Sequence, residues 1–251
     1  MLSAKRHEII LEILDKENMI KVSQLSKELG VTEKTIRMDL MTLEEKGLLQ
    51  RVHGGAVPVQ SSGLFPIAER QEKYTSEKQR IAQKAVENIE DGDTIYLDGG
   101  STMREIAKLL DPYRVTVITN DLRIASIIAE MSKPDLIMLG GMPVGSTTSL
   151  YGPLAKDALQ NIHVKHLFLA TTGLSLEHGL TVFHTLHAEY KREIMKIAEQ
   201  ITLCCDHTKI GNMALFKFAD IPEVHTIITD QRPEDKYIDY FSENHVKLIV
   251  V

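Results

Sequence analysis

Apolar positions recur at helical spacing through the first fifty residues. Ile9, Ile10, Ile13 and Leu14 stripe a helix that starts near Ser3. After a short connection or strand at Asn18-Met19-Ile20, Val22 to Leu29 reads as a second helix, with Ser23 as its N-cap and Gly30 closing it. A third helix begins at the N-cap Thr32, and Ile36, Leu40 and Leu43 give it one apolar face. Its opposite face presents Lys34, Thr35, Arg37 and Met38. Gly47 ends this helix, Leu48 to Val52 reads as a strand, His53-Gly54-Gly55 as a tight tip and Ala56-Val57 as a return strand. Three helices and a two-stranded wing in under 60 residues predict a winged helix-turn-helix whose third helix lies in a DNA groove.

The pattern changes after Gln60. Gln60 to Pro66 is small, polar and proline-punctuated, and is placed as a linker. A long amphipathic segment, Ile67 to Ile89, follows. Strand-like runs then alternate with helical ones. The strands are Thr94–Leu97, Val115–Ile118, Leu136–Leu139, His166–Ala170, Ile201–Cys205, Thr226–Thr229 and Val246–Val251. The helices are Thr102–Leu110, Leu122–Met131 and Ala188–Gln200. Such alternation predicts βαβ units and a mostly parallel sheet covered on both faces. The chain divides accordingly into 1–58 as a DNA-binding domain, 59–76 as linker and 77–251 as an α/β domain.

Open α/β sheets gather ligands beyond the carboxyl ends of their strands. Here six successive ends carry glycine or polar turns. The first runs into Asp98-Gly99-Gly100-Ser101-Thr102, and the second ends at Thr119-Asn120-Asp121. The third reaches Gly140-Gly141 and then Gly145 to Ser149, and the fourth ends at Thr171-Thr172-Gly173. Asp206-His207-Thr208-Lys209 and Thr229-Asp230 complete the set. Together they suggest a pocket for something hydroxylated and anionic. Gly99, Gly100, Ser101 and Thr102 would hold a phosphate at a helix start, Asp98 and Asn120 would meet sugar hydroxyls, and Lys209 would neutralise the anion. A bland alternative stands beside each: a plain strand–helix turn at 98–102, a helix N-cap at Asn120, a surface lysine at 209. Lys191 and Arg192 read as a solvated helix face.

Charge sharpens the division. Residues 1–60 hold nine Lys+Arg and nine Asp+Glu, so the net charge of −6 lies entirely in the remainder. A neutral reading head must segregate its bases onto one face. No apolar run approaches the roughly 20 residues that span a bilayer, and the N-terminus is not patterned as a signal peptide. Cys204 and Cys205 are adjacent in a strand-like run, which predicts no disulfide framework and a reducing, cytoplasmic setting. His184 and His187 lack a carboxylate-rich context, so no metal and no cofactor are expected.

Thr35-Ile36-Arg37-Met38-Asp39-Leu40, followed by Arg51-Val52-His53-Gly54-Gly55-Ala56, resembles the pattern of the DeoR family of bacterial sugar-metabolism repressors. Further along, Leu97 to Thr102, Thr119-Asn120, Gly140-Gly141, Tyr151-Gly152, Glu189-Tyr190-Lys191 and Asp206 to Gly211 resemble the family's sensor domain. That domain is similar in fold to ribose-phosphate isomerase and CoA transferase domains. The resemblance implies a repressor that binds double-stranded operator DNA as a homo-oligomer, a dimer or tetramer, under control of a sugar phosphate. Lys34, Thr35, Arg37, Met38, Arg51 and His53 are the residues carried to DNA; Asp98, Gly99, Gly100, Ser101, Thr102, Asn120, Gly141 and Lys209 are those carried to the effector. One departure matters: the family's second arginine in TIRRDL is Met38 here, and a methionine forms no bidentate pair with guanine. The alternative is a sugar-phosphate isomerase-like enzyme, with Asp206 or Glu189 as base and Lys209 as stabiliser. A metabolic isomerase has no need of the first 60 residues.

Overall fold

A computed structural model describes residues 2–17, 19–46, 48–52, 54–57, 74–143 and 147–251. Gly47, His53, Gly145, Ser146 and nearly all of the expected linker lie outside the described residues.

The N-terminal unit runs α1 (Ser3–Glu17), β1 (Ile20–Lys21), α2 (Val22–Leu29), α3 (Glu33–Glu45), β2 (Gln50–Val52) and β3 (Gly55–Val57). The strands form one small antiparallel sheet in the order β1-β3-β2. Ile10, Leu14, Leu25, Ile36, Leu40, Leu43, Leu48 and Leu49 are buried together as its core. Burial of each such side chain contributes about 1.5–3 kcal/mol. Thr32 caps α3 as its sequence predicts, its hydroxyl accepting the Thr35 amide at 3.2 Å. Ser23 does not cap α2. The chain enters that helix straight from β1, with Lys21 at the N-cap, and the Val22 amide is satisfied by the Gly54 carbonyl at 2.9 Å. Gly55 is required where these strands meet, because a Cβ there would stand 1.9 Å from the Ile20 carbonyl oxygen.

The larger unit begins at α4 (Thr75–Val86) and continues β4 (Thr94–Leu97), α5 (Ser101–Ala107), β5 (Thr116–Thr119), α6 (Leu122–Ala129) and β6 (Asp135–Met138). A hairpin of β7 (Met142–Pro143) and β8 (Leu150–Tyr151) leads into α7 (Pro153–Leu159). Then come β9 (Val164–Leu169), β10 (Gly173–Ser175), β11 (Gly179–Val182), α8 (Thr185–Lys196), β12 (Ala198–Cys204), β13 (Phe216–Ala219), β14 (Thr226–Thr229), α9 (Asp235–Glu243) and β15 (Lys247–Val250). Seven strands form a wholly parallel sheet in the order β15-β14-β12-β9-β4-β5-β6. Its two faces bury separate cores. Ile81, Ile95, Leu97, Met103, Ile106 and Ile124 lie on one side, and Leu167, Leu169, Tyr190, Ile194 and Leu203 on the other.

Several features of the larger unit depart from the sequence pattern, which marks neither α7 and α9 nor the β7–β8 hairpin. Residues 198–200, expected to finish a helix, begin β12 instead, because Ala198 and Gln200 pair with Val164 and His166. Strands β10, β11 and β13 add an antiparallel sheet that no strong apolar run announces.

The two units touch through α1. Phe183 and Leu215 pack against the helical core of the N-terminal unit. His184 Nδ1 lies 3.0 Å from Glu8 Oε1 and 3.4 Å from Glu12 Oε1.

Candidate effector site and DNA-reading face

The outer face of α3 is built as the spacing requires. Lys34, Arg37 and Met38 are exposed, while Ile36 and Leu40 are buried beneath them. Met38 is 57% exposed, so it is not core packing. Arg37 pairs with Glu33 at 2.6 Å, one turn back along the helix. Thr35 shares its hydroxyl with Thr32 at 2.9 Å. Arg51 projects from β2 on the wing, with its backbone amide held by Glu44 at 2.7 Å. His53 lies outside the described residues. Asp39, in the middle of the recognition segment, is turned inward. Its carboxylate takes Arg6 Nε at 2.6 Å, Arg6 Nη2 at 2.9 Å and His7 Nε2 at 3.0 Å, all buried. The hydrogen bond to Asp39 raises the Arg6 pKa above its ordinary value, and the cluster clamps α3 to α1.

At the carboxyl end of the parallel sheet is a cavity of about 230 Å³. Its lining includes Asp98, Gly99, Gly100, Ser101, Thr102 and Lys209, which the sequence placed there. Asp98 ties strand ends together: Oδ1 accepts the Gly99 amide at 2.8 Å and Oδ2 the Ala170 amide at 3.0 Å. The same Oδ2 accepts from Lys191 Nζ, which also donates to the Ala170 carbonyl at 2.8 Å. Lys191 is therefore buried in the cavity wall, not part of a solvated face, while its neighbour Arg192 is exposed. Gly99 is pressed against the hairpin that precedes α7: a Cβ there would meet Ser149 Oγ at 2.1 Å.

Two expected effector residues lie away from the cavity. Asn120 is fully buried, its amide nitrogen donating to the Leu150 carbonyl at 2.8 Å and its oxygen accepting from Tyr96 at 3.3 Å. It pins β8 to β5, and it is not the cap of α6 either. Gly141 passes close to β8, where a Cβ would lie 2.6 Å from the Tyr151 carbonyl oxygen.

Asp121 caps α6 through the Arg123 amide at 2.9 Å and faces the cavity with its other oxygen. That oxygen accepts from Thr148 at 2.8 Å and Ser149 at 2.9 Å. Asp206 accepts the Thr208 amide at 3.1 Å and stands 3.9 Å from Lys209. Lys78, from α4, also lines the cavity. Burial holds its pKa below the ordinary 10.5, with Asp206 opposing and Lys209 adding to that shift. Burial pushes the Cys204 and Cys205 thiols up, so both line the floor as neutral groups. His187 stacks on Tyr151 at 4.5 Å, and its ring centroid is 4.8 Å from that of His184. Among the described residues no group of three or more His, Cys, Asp or Glu is disposed to hold a metal. No described helix is long and apolar enough to cross a membrane. Glu189, one candidate base of the isomerase alternative, is exposed and outside the lining.

The sequence pattern leaves Lys78 unmarked, shows Asp121 only as part of a strand end and makes Lys191 a solvated helix face. Asp121 had a signal, being an aspartate directly before a helix. Lys191 stands in the Glu189-Tyr190-Lys191 piece that resembles the sensor domain; Lys78 has no such signal, because orientation on a helix is not visible from residue type.

A winged-helix reading head joined to an α/β unit with a polar cavity at its strand ends defines a ligand-responsive DNA-binding regulator. Residues 6–62 match the DeoR-like helix-turn-helix domain, and residues 73–231 match the DeoR C terminal sensor domain. The chain belongs to the DeoR family of transcriptional regulators. It is 31% identical to the HTH-type transcriptional repressor GlcR of Bacillus subtilis (strain 168), over 100% of this chain and 97% of that one. To the HTH-type transcriptional regulator IolR of the same organism it is 32% identical, over 90% and 91%. To the glycerol-3-phosphate regulon repressor of Escherichia coli (strain K12) it is 28% identical, over 99% of each. Among solved structures, the ribose 5-phosphate isomerase from Plasmodium falciparum superimposes with a TM-score of 0.40 at 16% identity, over 55% of this chain and 54% of that one.

Proposed function

We propose that this protein represses a carbohydrate-utilisation operon and that a phosphorylated sugar or polyol in the cavity controls its grip on the operator. The observation that carries the effector class is the convergence of Lys78, Lys191 and Lys209 on one cavity with the 98–102 loop. The lysines supply charge for a phosphate, and Asp98 and Asp206 supply acceptors for hydroxyls. A relative named for the glycerol-3-phosphate regulon supports the same class. Operator contact is assigned to Lys34, Thr35, Arg37, Met38, Arg51 and His53. Paired half-sites call for paired reading heads, so the active form is a homo-oligomer. The ligand is sensed and not turned over.

The test is a thermal-shift panel of sugar phosphates, polyol phosphates and free sugar acids on wild type and on Ser101→Ala with Lys209→Ala. A ligand bound only by the folded state stabilises it by about 2.7 kcal/mol at a concentration a hundred times Kd. A shift from a phosphate, lost in the double variant, supports the assignment. A shift from unphosphorylated acids alone, or a shift retained in the variant, overturns it.

A further inference from the structure

The cavity at the strand ends is not closed by the sensor unit alone. Leu11 and Glu12 of α1, from the DNA-reading unit, contribute to its lining. Glu12 is thus a carboxylate that one unit places at the ligand site of the other. Beside it Glu8 is buried at the same contact. Burial works to raise the Glu8 pKa, but hydrogen bonds from Lys5 and His184 prevail and hold it below the ordinary carboxylate range. His184, which lines the cavity next to His187, receives both glutamates at 3.0 and 3.4 Å.

The charges of the site make this arrangement consequential. The sensor unit lines the cavity with three carboxylates, Asp98, Asp121 and Asp206, and three lysines, Lys78, Lys191 and Lys209. Glu12 adds a fourth carboxylate from outside. A phosphate brings up to two further negative charges into this cavity, where like charges repel. Asp98, Asp121 and Asp206 are fixed by backbone amides of their own unit. Glu12 rides on a helix of a separate body, held by His184 and by the apolar contacts of Phe183 and Leu215.

We infer that Glu12 and Glu8 of the reading head and an anionic effector compete for the His184 side of the cavity, so that effector binding undocks α1 from the sensor. This rests on the reading of the cavity as an anion site. Movement of α1 does not stop at α1: Arg6 and His7, directly before Glu8, clamp Asp39 of α3. The head therefore leaves as one piece, and what changes is the orientation of the recognition helix, not its fold. Linkage makes the effect reciprocal, so whatever favours docking weakens the anion by the same factor.

Inorganic phosphate serves as the probe, in calorimetric titrations of the full chain and of Glu8→Gln with Glu12→Gln, alongside hydrogen exchange of residues 3–17. Competition predicts phosphate binding about tenfold tighter in the double variant, and faster exchange of the α1 amides in wild type when phosphate is added. Phosphate bound equally by both proteins, with α1 exchange unchanged, overturns the competition and leaves the anion site standing. Failure of phosphate to bind either protein removes the anion site, and the competition with it. Should the double variant fold poorly, the wild-type exchange experiment decides alone.

Discussion

Replacing Asp39 by asparagine should unfasten the reading head without touching its outer face. The Asp39 side chain is 5% exposed, and its partners Arg6 and His7 are 10% and 8% exposed. An asparagine keeps the shape but removes the charge, leaving the Arg6 guanidinium buried beside a neutral amide. Breaking one partner of a buried ion pair costs about 3–5 kcal/mol. Arg6 retains some contact with water, so the lower end, about 3 kcal/mol, is the working value. At 1.4 kcal/mol per decade this is roughly a hundredfold in the opening equilibrium of the α1–α3 contact. Hydrogen exchange of α1 and α3 amides reads that equilibrium directly, because the head can open without unfolding the sensor unit. Protection in both helices should fall by about two decades, while the amides of β4 and β9 stay unchanged. Arg6→Met combined with Asp39→Leu should recover part of the loss, since an apolar pair of similar volume bears no desolvation penalty while His7 keeps only the Ser3 hydroxyl at 3.2 Å. Protection within threefold of wild type in Asp39→Asn, or a double variant no better than the single one, would refute the clamp.

The exposed face behaves oppositely. Arg37→Ala should leave the melting temperature within experimental error, its Glu33 pair being worth at most about 0.5 kcal/mol. The same variant should lose operator affinity; if Arg37 reaches a phosphate, the slope of log K against log salt falls by about 0.9, measurable by fluorescence anisotropy. Retained affinity would remove Arg37 from the interface. Anion binding should also depend on pH through Lys78. Its pKa is lowered from 10.5 by burial, so charge is lost at a lower pH than in an ordinary lysine. Affinity for phosphate is therefore full below the lowered value and declines as pH rises through it, before 10.5 is reached. Lys78→Met should flatten that decline in calorimetric titrations between pH 7 and 10.

Much of this protein is local, and local features are readable from the chain. The core stripe of Ile36, Leu40 and Leu43, the Thr32 cap and the left-handed Gly30 that ends α2 depend on residues three or four apart. The polar loops at 98–102 and 206–209 follow apolar runs, and parallel strands bring their ends to one edge whatever the details of packing. Residue type fails where direction matters. Adjacent residues on a helix point about 100° apart, so the rotation of α8 against the sheet decides that Lys191 enters the cavity and Arg192 meets solvent. Asn120 looked like a ligand residue, yet the β8 hairpin comes back over β5 and claims its side chain. Asp39 sits among residues that face outward, and only α1, over thirty positions earlier, turns it into a clamp. Glu12 lies in an ordinary amphipathic helix, and its place in the sensor cavity follows from how the two units dock. These contacts join residues up to 176 positions apart, and no periodicity in the chain encodes which of its polar groups will meet.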